Sequence, residues 1–200
     1  MRVLGVILAG GEGARLGGVD KALELIAGRT CLDRVVERLG PQVEALALVA
    51  AGPADAYGPL SVAILRDAGW PAREGPMAGV LAGLRAAAEG GFEAALTIAV
   101  DTPFCPLDLR RRLEVAGAPG EIAIAASAGQ AHPVFGLWPA AHAAGAQAFF
   151  ETGGRSPDRF SRTVGRVLVD WPATPFDPFA NLNTPDDRAA LEAIAASLAP

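Results

Sequence analysis

The chain has 200 residues, 51% of them hydrophobic, with a mean hydropathy of +0.30 and a formal net charge of −5. This size and composition predict one compact domain over residues 1–200, which buries enough apolar surface to fold without disulfides or structural metals. The acidic balance argues against nucleic acid or an anionic membrane as a partner, since both require a basic face. No apolar run approaches the ~20 residues of a membrane span, and no secretion signal is evident, so we expect a cytoplasmic protein.

Short aliphatic runs alternate along the chain with Ala- and Leu-rich segments of helical length, which predicts an α/β fold. Several runs are apolar throughout, as in strands that are covered on both faces of a mainly parallel sheet. The predicted strands are residues 2–8, 45–50, 62–65, 95–100, 122–126, 133–138 and 167–171. The predicted helices are residues 30–39, 76–89, 106–115 and 140–152, with a last helix beginning after Thr184.

The last helix carries the strongest sequence signals of the predicted elements. Thr184 is suited to the N-cap, Pro185 to the first helical position and Asp187 to the third. Residues 151–165 and 171–183 are predicted to be loops, where a substrate-facing flap is expected. Cys31 and Cys105 show no metal-ligand spacing and are expected to be buried free thiols.

Residues 8–21, LAGGEGARLGGVDK, follow the first predicted strand and form a loop with five glycines. Glycines let backbone N–H groups approach an anion, and Arg15 and Lys21 are the cations of the same loop that can neutralise phosphate charge. Two common nucleotide motifs do not fit. The P-loop needs a hydroxyl after its lysine, where this chain has Ala22, and the Rossmann fingerprint needs a third glycine where it has Leu16. The loop therefore indicates a nucleoside triphosphate site of another kind.

Asp101 directly follows the predicted strand 95–100. An aspartate at the carboxyl end of a central strand faces the crevice in which α/β sheets bind ligands, and its carboxylate can hold Mg²⁺ together with phosphate oxygens. Asp67 follows the mainly apolar run 62–66, at a position where a ligand contact and a simple turn are equally compatible with the sequence. The small residues at the start of the next helix, from Pro76 to Gly79, would admit a flat base.

Polar side chains near the end of the chain form a second group. Asn181 and Asn183 alternate along an extended stretch just before the last helix, and their amides can both donate and accept hydrogen bonds. His132 precedes a strand, where it can act as a general base or have a positioning role.

Five segments together resemble the molybdenum cofactor guanylyltransferases, a branch of the nucleotidyltransferases. They are LAGGEGARLGGVDK at 8–21, GPMAG at 75–79, VDTPF at 100–104, HPVFGL at 132–137 and NLNTPDD at 181–187. The resemblance implies a three-layer α/β sandwich with the Rossmann-like, mainly parallel sheet of the nucleotide-diphospho-sugar transferases.

The resemblance also implies the reaction and its residues. GMP passes from GTP to the terminal phosphate of molybdenum-molybdopterin, and pyrophosphate leaves. Lys21, Arg15 and Asp101 are the implied catalytic residues, with Mg²⁺ as cofactor on Asp101. The implied nucleotide contacts are Leu8, Ala9, Gly10, Gly11, Lys21, Asp67, Pro76, Gly79 and Asp101. The implied contacts to the second substrate are His132, Asn181 and Asn183.

Three alternatives stay open at this stage. A cytidylyltransferase acting on the same cofactor, or another small-molecule nucleotidyltransferase, would use the same loop, because the base is chosen by backbone contacts that the sequence does not resolve. A non-catalytic nucleotide-binding module would bind nucleotide without releasing pyrophosphate. A molybdoenzyme or its chaperone is a further partner consistent with the guanylyltransferase reading.

Overall fold

The computed structural model describes residues 1–9, 20–50, 54–57, 62–65 and 75–198. The helices in these residues are α1 (Cys31–Leu39), α2 (Pro76–Glu89), α3 (Leu109–Ala116), α4 (Ala143–Glu151), α5 (Pro157–Val164) and α6 (Pro185–Ser197). The strands are β1 (Val3–Leu8), β2 (Leu25–Ile26), β3 (Arg29–Thr30), β4 (Ala45–Val49), β5 (Ala63–Leu65), β6 (Ala94–Ala99), β7 (Ile122–Ser127), β8 (Gln130–Pro139) and β9 (Arg166–Trp171). The alternation of strands and helices confirms the predicted α/β class.

Seven of these strands form one sheet in the order β5-β4-β1-β6-β8-β7-β9. All neighbouring pairs are parallel except those of β8, which runs antiparallel to both β6 and β7. The predicted mainly parallel sheet is therefore confirmed. The strands other than β8 end at one edge, called here the carboxyl edge, which is where α/β proteins bind ligands.

Helices cover both faces of the sheet, as the alternation of side chains along β1 shows. Val3 and Ile7 lie in a buried cluster with residues of α1 and α3. Leu4 and Val6 point the other way, into a cluster with residues of α2, α4 and α5. Both faces of the strand are thus apolar and covered, and the three-layer arrangement is confirmed.

Helix α2 packs directly against β1 at two of its glycines. A Cβ atom at Gly79 would lie 2.9 Å from Leu8 Cδ2, and one at Gly83 would lie 2.9 Å from both Cγ atoms of Val6. Contacts this short are not tolerated in a packed interior, so any larger residue would push the helix from the sheet. The glycines thereby fix the height of α2 above β1.

The prediction of a loop over residues 151–165 was wrong in its second half, which contains α5. Ser156 caps this helix by accepting a hydrogen bond from the Arg159 N–H, and Pro157 stands at its first position. Phe160 is 2% exposed and anchors the helix to the core. The Gly-Gly pair at 153–154 suggested a longer loop than the chain forms.

Smaller differences occur elsewhere. The predicted helix 140–152 is divided into a 3₁₀ turn, Ala140–His142, followed by α4, and the helix predicted from residue 106 begins at Leu109. The hairpin of β2 and β3 was not predicted. Its turn has positive φ at Ala27 and Gly28, 46° and 76°, which are the dihedral signs of a tight two-residue hairpin.

Residues 172–184, called here the C-terminal segment, contain neither helix nor strand, which confirms the second predicted loop. Cys31 and Cys105 are buried free thiols as expected, and burial raises the pKa of each to about 11. Within the described ranges, none of the helices has the length and apolar character needed to cross a lipid bilayer.

Candidate active site

Three residues that are far apart in the sequence meet at the carboxyl edge. Lys21 Nζ lies 2.9 Å from Asp101 Oδ2 and 2.5 Å from Asn183 Oδ1. The side chains of Lys21 and Asp101 are 21% and 18% exposed, so the pair is sheltered but open to a ligand. The sequence predicted each of these residues separately, and the structure brings them together as one group.

Lys21 is held at this place by the residues around it. It opens a 3₁₀ turn, Lys21–Leu23, that Asp20 caps by accepting a hydrogen bond from the Ala22 N–H. The hydroxyl of Tyr57 donates to the other carboxylate oxygen of Asp20 at 2.8 Å, and Ala22 is fully buried. The base of the lysine is therefore fixed, while the ammonium group stands at the end of a flexible stem.

Asp101 follows β6, and hydrogen bonds on both sides hold the backbone at this position. The Val100 N–H donates to the Leu8 carbonyl at 3.1 Å, which continues the pairing of β6 with β1 one residue further. The Asp101 carbonyl in turn accepts the Leu182 N–H at 2.9 Å, which joins the C-terminal segment to β6. A strand end bonded on both sides is a rigid support for a carboxylate.

The backbone at the end of β1 is also hydrogen-bonded within the sheet. The Ala9 N–H donates to the Val49 carbonyl at 2.9 Å, and Leu8 packs its side chain against Gly79. The Ala9 N–H is therefore already paired. Pro76 is exposed at the start of α2, whereas Gly79 is buried and serves close packing between helix and strand.

Asn183 is positioned by the cap of α6. The Asp187 carboxylate accepts the N–H groups of Asn183 and Thr184 at 2.9 and 2.8 Å, and the Thr184 hydroxyl accepts the Asp187 N–H. These hydrogen bonds lower the pKa of Asp187, and the bond from the Asn183 N–H has the largest effect. The capping box predicted from the sequence is confirmed, and it places the Asn183 amide over Lys21.

The two asparagines lie on the same side of the C-terminal segment. Leu182, between them, is 1% exposed and packs into a small cluster with Ile26 and Leu191, while Asn181 and Asn183 are exposed. The predicted alternation is therefore present. Arg188 ties α6 to the β2–β3 hairpin by pairing with Glu24 and donating to the Leu25 carbonyl.

A second polar group, which contains two residues that the sequence did not single out, lies around His132. Its Nε2 is 2.7 Å from the hydroxyl of Ser127, which contacts both oxygens of the Asp177 carboxylate at 2.9 and 3.0 Å. Burial lowers the pKa of His132, and the nearby Asp177 acts in the opposite direction. Neither Ser127 at a strand end nor Asp177 in a loop has a local sequence signal, because their contact spans 50 residues.

Gly10, Gly11, Arg15 and Asp67 lie outside the described residues. In the described part of the chain, no three His, Cys, Asp or Glu side chains are grouped closely enough to hold a metal ion on their own. A single carboxylate such as Asp101 fits a metal of the Mg²⁺ type, which usually takes one or two carboxylates and completes its shell with phosphate oxygens and water. Because Lys21 occupies Oδ2, such an ion would share Asp101 with the ammonium group.

This topology, with a lysine and a carboxylate at the carboxyl edge, is that of a nucleotidyltransferase, and sequence and structure comparisons agree. Residues 5–167 match the family model described as the MobA-like NTP transferase domain. The fold is similar to Molybdopterin-guanine dinucleotide biosynthesis protein A from Archaeoglobus fulgidus, with a TM-score of 0.74, 22% identity, and coverage of 98% of this chain and 100% of that chain. It is also similar to 2-C-methyl-D-erythritol 4-phosphate cytidylyltransferase from Thermus thermophilus, with a TM-score of 0.68, 17% identity, and coverage of 96% and 98%.

Curated relatives identify the branch of the nucleotidyltransferases to which the chain belongs. The chain is 44% identical to the molybdenum cofactor guanylyltransferase of Cereibacter sphaeroides, over 97% of both chains. It is 45% identical to the protein of that name from Rhodopseudomonas palustris (strain BisB5), with 95% of this chain and 92% of the relative covered. The chain therefore belongs to the molybdenum cofactor guanylyltransferase family. The resemblance that the five sequence segments predicted is confirmed.

Proposed function

We propose that the protein transfers GMP from GTP to the terminal phosphate of molybdenum-molybdopterin and releases pyrophosphate. The observation that carries this proposal is the meeting of Lys21, Asp101 and Asn183 at the carboxyl edge. It joins a cation for the nucleotide phosphates, a carboxylate for a metal and an amide for the second substrate. Relatives at 44–45% identity over nearly the whole chain bear the name of this activity, which favours guanine over cytosine as the base.

The reaction is an in-line displacement at the α-phosphorus of GTP, and it needs no covalent intermediate with the protein. Catalysis therefore rests on positioning and on neutralising charge. Lys21 and Arg15 stabilise the charge on the α-phosphoryl group and the leaving pyrophosphate. Asp101 is the residue that would hold Mg²⁺, which would supply positive charge beside the phosphate groups.

Lys21 must change partners during this reaction. In the free protein its ammonium group is satisfied by one carboxylate and one amide oxygen. The triphosphate brings more negative charge than the single carboxylate of Asp101, so it competes with that carboxylate for the ammonium group. We therefore expect the nucleotide to draw Lys21 towards the phosphates and release the amide of Asn183.

The remaining contacts divide into two sets. The nucleotide set is Leu8, Ala9, Gly10, Gly11, Lys21, Asp67, Pro76, Gly79 and Asp101. In the described residues the Ala9 N–H is bonded to Val49, so a donor role towards phosphate falls to the glycines that follow. The second-substrate set is His132, Asn181 and Asn183, which stand on the β8 and α6 side of the edge.

The proposal extends to the whole chain as one nucleotidyltransferase domain, residues 1–200. Strand β9, which extends past the end of the family match at residue 167, pairs with β7, and the C-terminal segment bonds to Asp101. We further propose a cytoplasmic enzyme that delivers its product to a molybdoenzyme or its chaperone.

Pyrophosphate release tests the proposal. The full-length protein is incubated with Mg²⁺, molybdenum-molybdopterin and each of GTP, CTP, ATP and UTP in turn. We expect release with GTP that depends on the cofactor. Release with CTP in preference to GTP would replace guanylyl by cytidylyl transfer, and nucleotide binding without release would mean a non-catalytic module.

A further inference from the structure

Ser127 is hydrogen-bonded on two sides although it is almost fully buried. It ends β7 and is 1% exposed. Its Oγ lies 2.7 Å from His132 Nε2 and 2.9 and 3.0 Å from the two carboxylate oxygens of Asp177. A buried hydroxyl with two strong partners has its orientation fixed by them.

The number of available protons decides the direction of these bonds. A serine hydroxyl has one proton to donate, and an ionised carboxylate only accepts. Asp177 Oδ1 also accepts the Phe179 N–H at 2.9 Å, so the carboxylate is an acceptor on both sides. The Ser127 proton therefore goes to Asp177, and Ser127 Oγ accepts the proton of His132 Nε2. In the neutral imidazole, Nδ1 then carries a free lone pair.

The ring of His132 is also held in place by its aromatic neighbours. Phe179 stacks on it with 4.6 Å between ring centroids and 27° between planes, and Phe135 meets it edge-on at 6.3 Å. Burial lowers the pKa of His132, which favours the neutral form. In the described part of the chain, Thr102 Oγ1 is the one buried side-chain nitrogen or oxygen without a partner. Nδ1 of His132 makes no hydrogen bond within the described residues and is not among these buried atoms, so it is available to a ligand.

The topology of the sheet places His132 at the carboxyl edge. Strands β6 and β8 are antiparallel and pair from Ala94 with Pro139 to Thr97 with Gly136. The first residues of β8, which include His132, therefore lie at the edge where β6 ends and Asp101 follows. His132 and Asp101 thus belong to the same edge of neighbouring strands.

We propose that Asp177 is a positioning residue, which through Ser127 holds His132 in the Nε2-protonated tautomer so that Nδ1 accepts a hydrogen bond from the second substrate. This inference rests on the proposed function for the identity of that substrate. A lone pair repels a phosphate oxygen, so the contact goes to an N–H or O–H donor. The amino and ring N–H groups of a pterin are donors of this kind, whereas its terminal phosphate is not.

Asp177→Asn separates this role from a merely structural one. The carboxamide has the shape of the carboxylate but can donate to Ser127 Oγ through its NH₂ group. The serine proton is then free to turn towards His132 Nε2, and the histidine proton moves to Nδ1, where it blocks an incoming donor. Asp186→Asn is the matched control, because Asp186 is exposed at the start of α6 and makes the same change in charge.

Nitrogen-15 NMR of labelled histidine in the free, full-length protein reads the tautomer directly. The chain has only two histidines, and His132→Gln identifies the signal of His132. We expect protonated Nε2 and unprotonated Nδ1 in the wild type and in Asp186→Asn, and a shift of the proton towards Nδ1 in Asp177→Asn. Doubly protonated or Nδ1-protonated His132 in the wild type would overturn the proposal.

Steady-state kinetics test the consequence for the substrate. We expect Asp177→Asn to raise KM for molybdenum-molybdopterin about tenfold, the size of one net hydrogen bond, with KM for GTP unchanged. Ser127→Ala removes the hydroxyl that selects the tautomer, so it is expected to raise the same KM. This variant replaces Asp177→Asn in the test if Asp177→Asn does not fold. Equal changes in both KM values, or none, would contradict the proposal. If the wild type released no pyrophosphate, the proposed function would fail, while the NMR result would stand separately.

Discussion

The two sides of the candidate site are held by different means. On one side, β1 is bonded to β4 and β6, and α2 presses its glycines against Leu8 and Val6. On the other side, the C-terminal segment has no regular structure and is fixed by individual contacts, such as the Leu182 N–H on the Asp101 carbonyl and Asp177 on Ser127. A tightly packed sheet comes apart only when the whole domain unfolds, whereas a segment held by a few hydrogen bonds detaches at a lower free energy.

This difference assigns the two sides different work. In the proposed function, the β1 side would hold the nucleotide on a rigid surface, and the C-terminal segment would adjust its contacts when ligands bind. Lys21 stands between them, because its ammonium group contacts one residue from each side, Asp101 and Asn183. Variants on the two sides should therefore fail in different ways.

The largest effect is expected for Lys21→Ala. Removing the cation that neutralises the phosphates should lower the rate of pyrophosphate release on the order of a hundredfold or more. Lys21 is the only lysine of the sequence, so a lysine-selective reagent also reports on it, with GTP and Mg²⁺ expected to protect it from acylation. Arg111→Ala, which removes an exposed cation on α3, is the control. Near-wild-type turnover of a folded Lys21→Ala protein would show that the site is wrongly placed.

Asp101→Asn should slow pyrophosphate release nearly as much as Lys21→Ala, but for a different reason. The amide still accepts a hydrogen bond from Lys21 but is a poor ligand for the Mg²⁺ that we propose binds here, so we expect about a hundredfold slower release and a higher Mg²⁺ requirement. Titration of the initial rate with Mg²⁺ measures both. An unchanged Mg²⁺ dependence would contradict the proposal that Asp101 is a Mg²⁺ ligand. Asp33→Asn, in the exposed first turn of α1, is the control for loss of one carboxylate.

Gly83→Ala tests the rigid side without touching a proposed ligand contact. The added Cβ would lie 2.9 Å from both Cγ atoms of Val6, and overpacking of this kind costs about 1–3 kcal/mol of unfolding free energy. Gly145→Ala is a matched change in α4, where a Cβ meets nothing within 4 Å and the helix gains propensity. Urea unfolding of both variants measures the difference. Equal stability of the two would show that α2 is not packed tightly on β1.

Thr184→Ala tests the adjustable side and has the smallest expected effect on the fold. Loss of the cap bond to the Asp187 N–H should cost about 1 kcal/mol of unfolding free energy. Because the cap also orients Asn183, KM for the second substrate should rise while KM for GTP stays constant. Thr184→Ser keeps the hydroxyl and should behave as wild type. A change in both KM values alike would mean that the two sides are not independent.

Much of this architecture could be predicted because apolar runs and cap residues are local signals. The run before Ala9 predicted β1 to within one residue, and the Thr184–Asp187 pattern predicted the start of α6. Helix α5 was not predicted, because the preceding glycines favoured a loop. Ser156 and Pro157 are nevertheless typical residues for the start of a helix. The split at residues 140–142 depends on tertiary packing and leaves no local signal.

The candidate site was predicted as far as its residues follow strands or caps. Asp101 follows β6, and Asn183 precedes a capped helix, so each had a recognisable position. Their contact with Lys21 could not be foreseen, because it closes chain loops of 80 and 162 residues. Ser127 and Asp177 were missed for the same reason, since a serine at the end of an apolar strand becomes informative only beside its partner.

Transfer of GMP to the phosphate of molybdenum-molybdopterin can be observed directly in the product. The most direct test is mass analysis of the products after the full-length protein is incubated with Mg²⁺, the cofactor and each of the four nucleoside triphosphates. We expect a product heavier than the cofactor by one GMP unit, formed from GTP and absent with Lys21→Ala. A cytidylylated product, or no nucleotidylated cofactor from an enzyme that binds GTP, would contradict it.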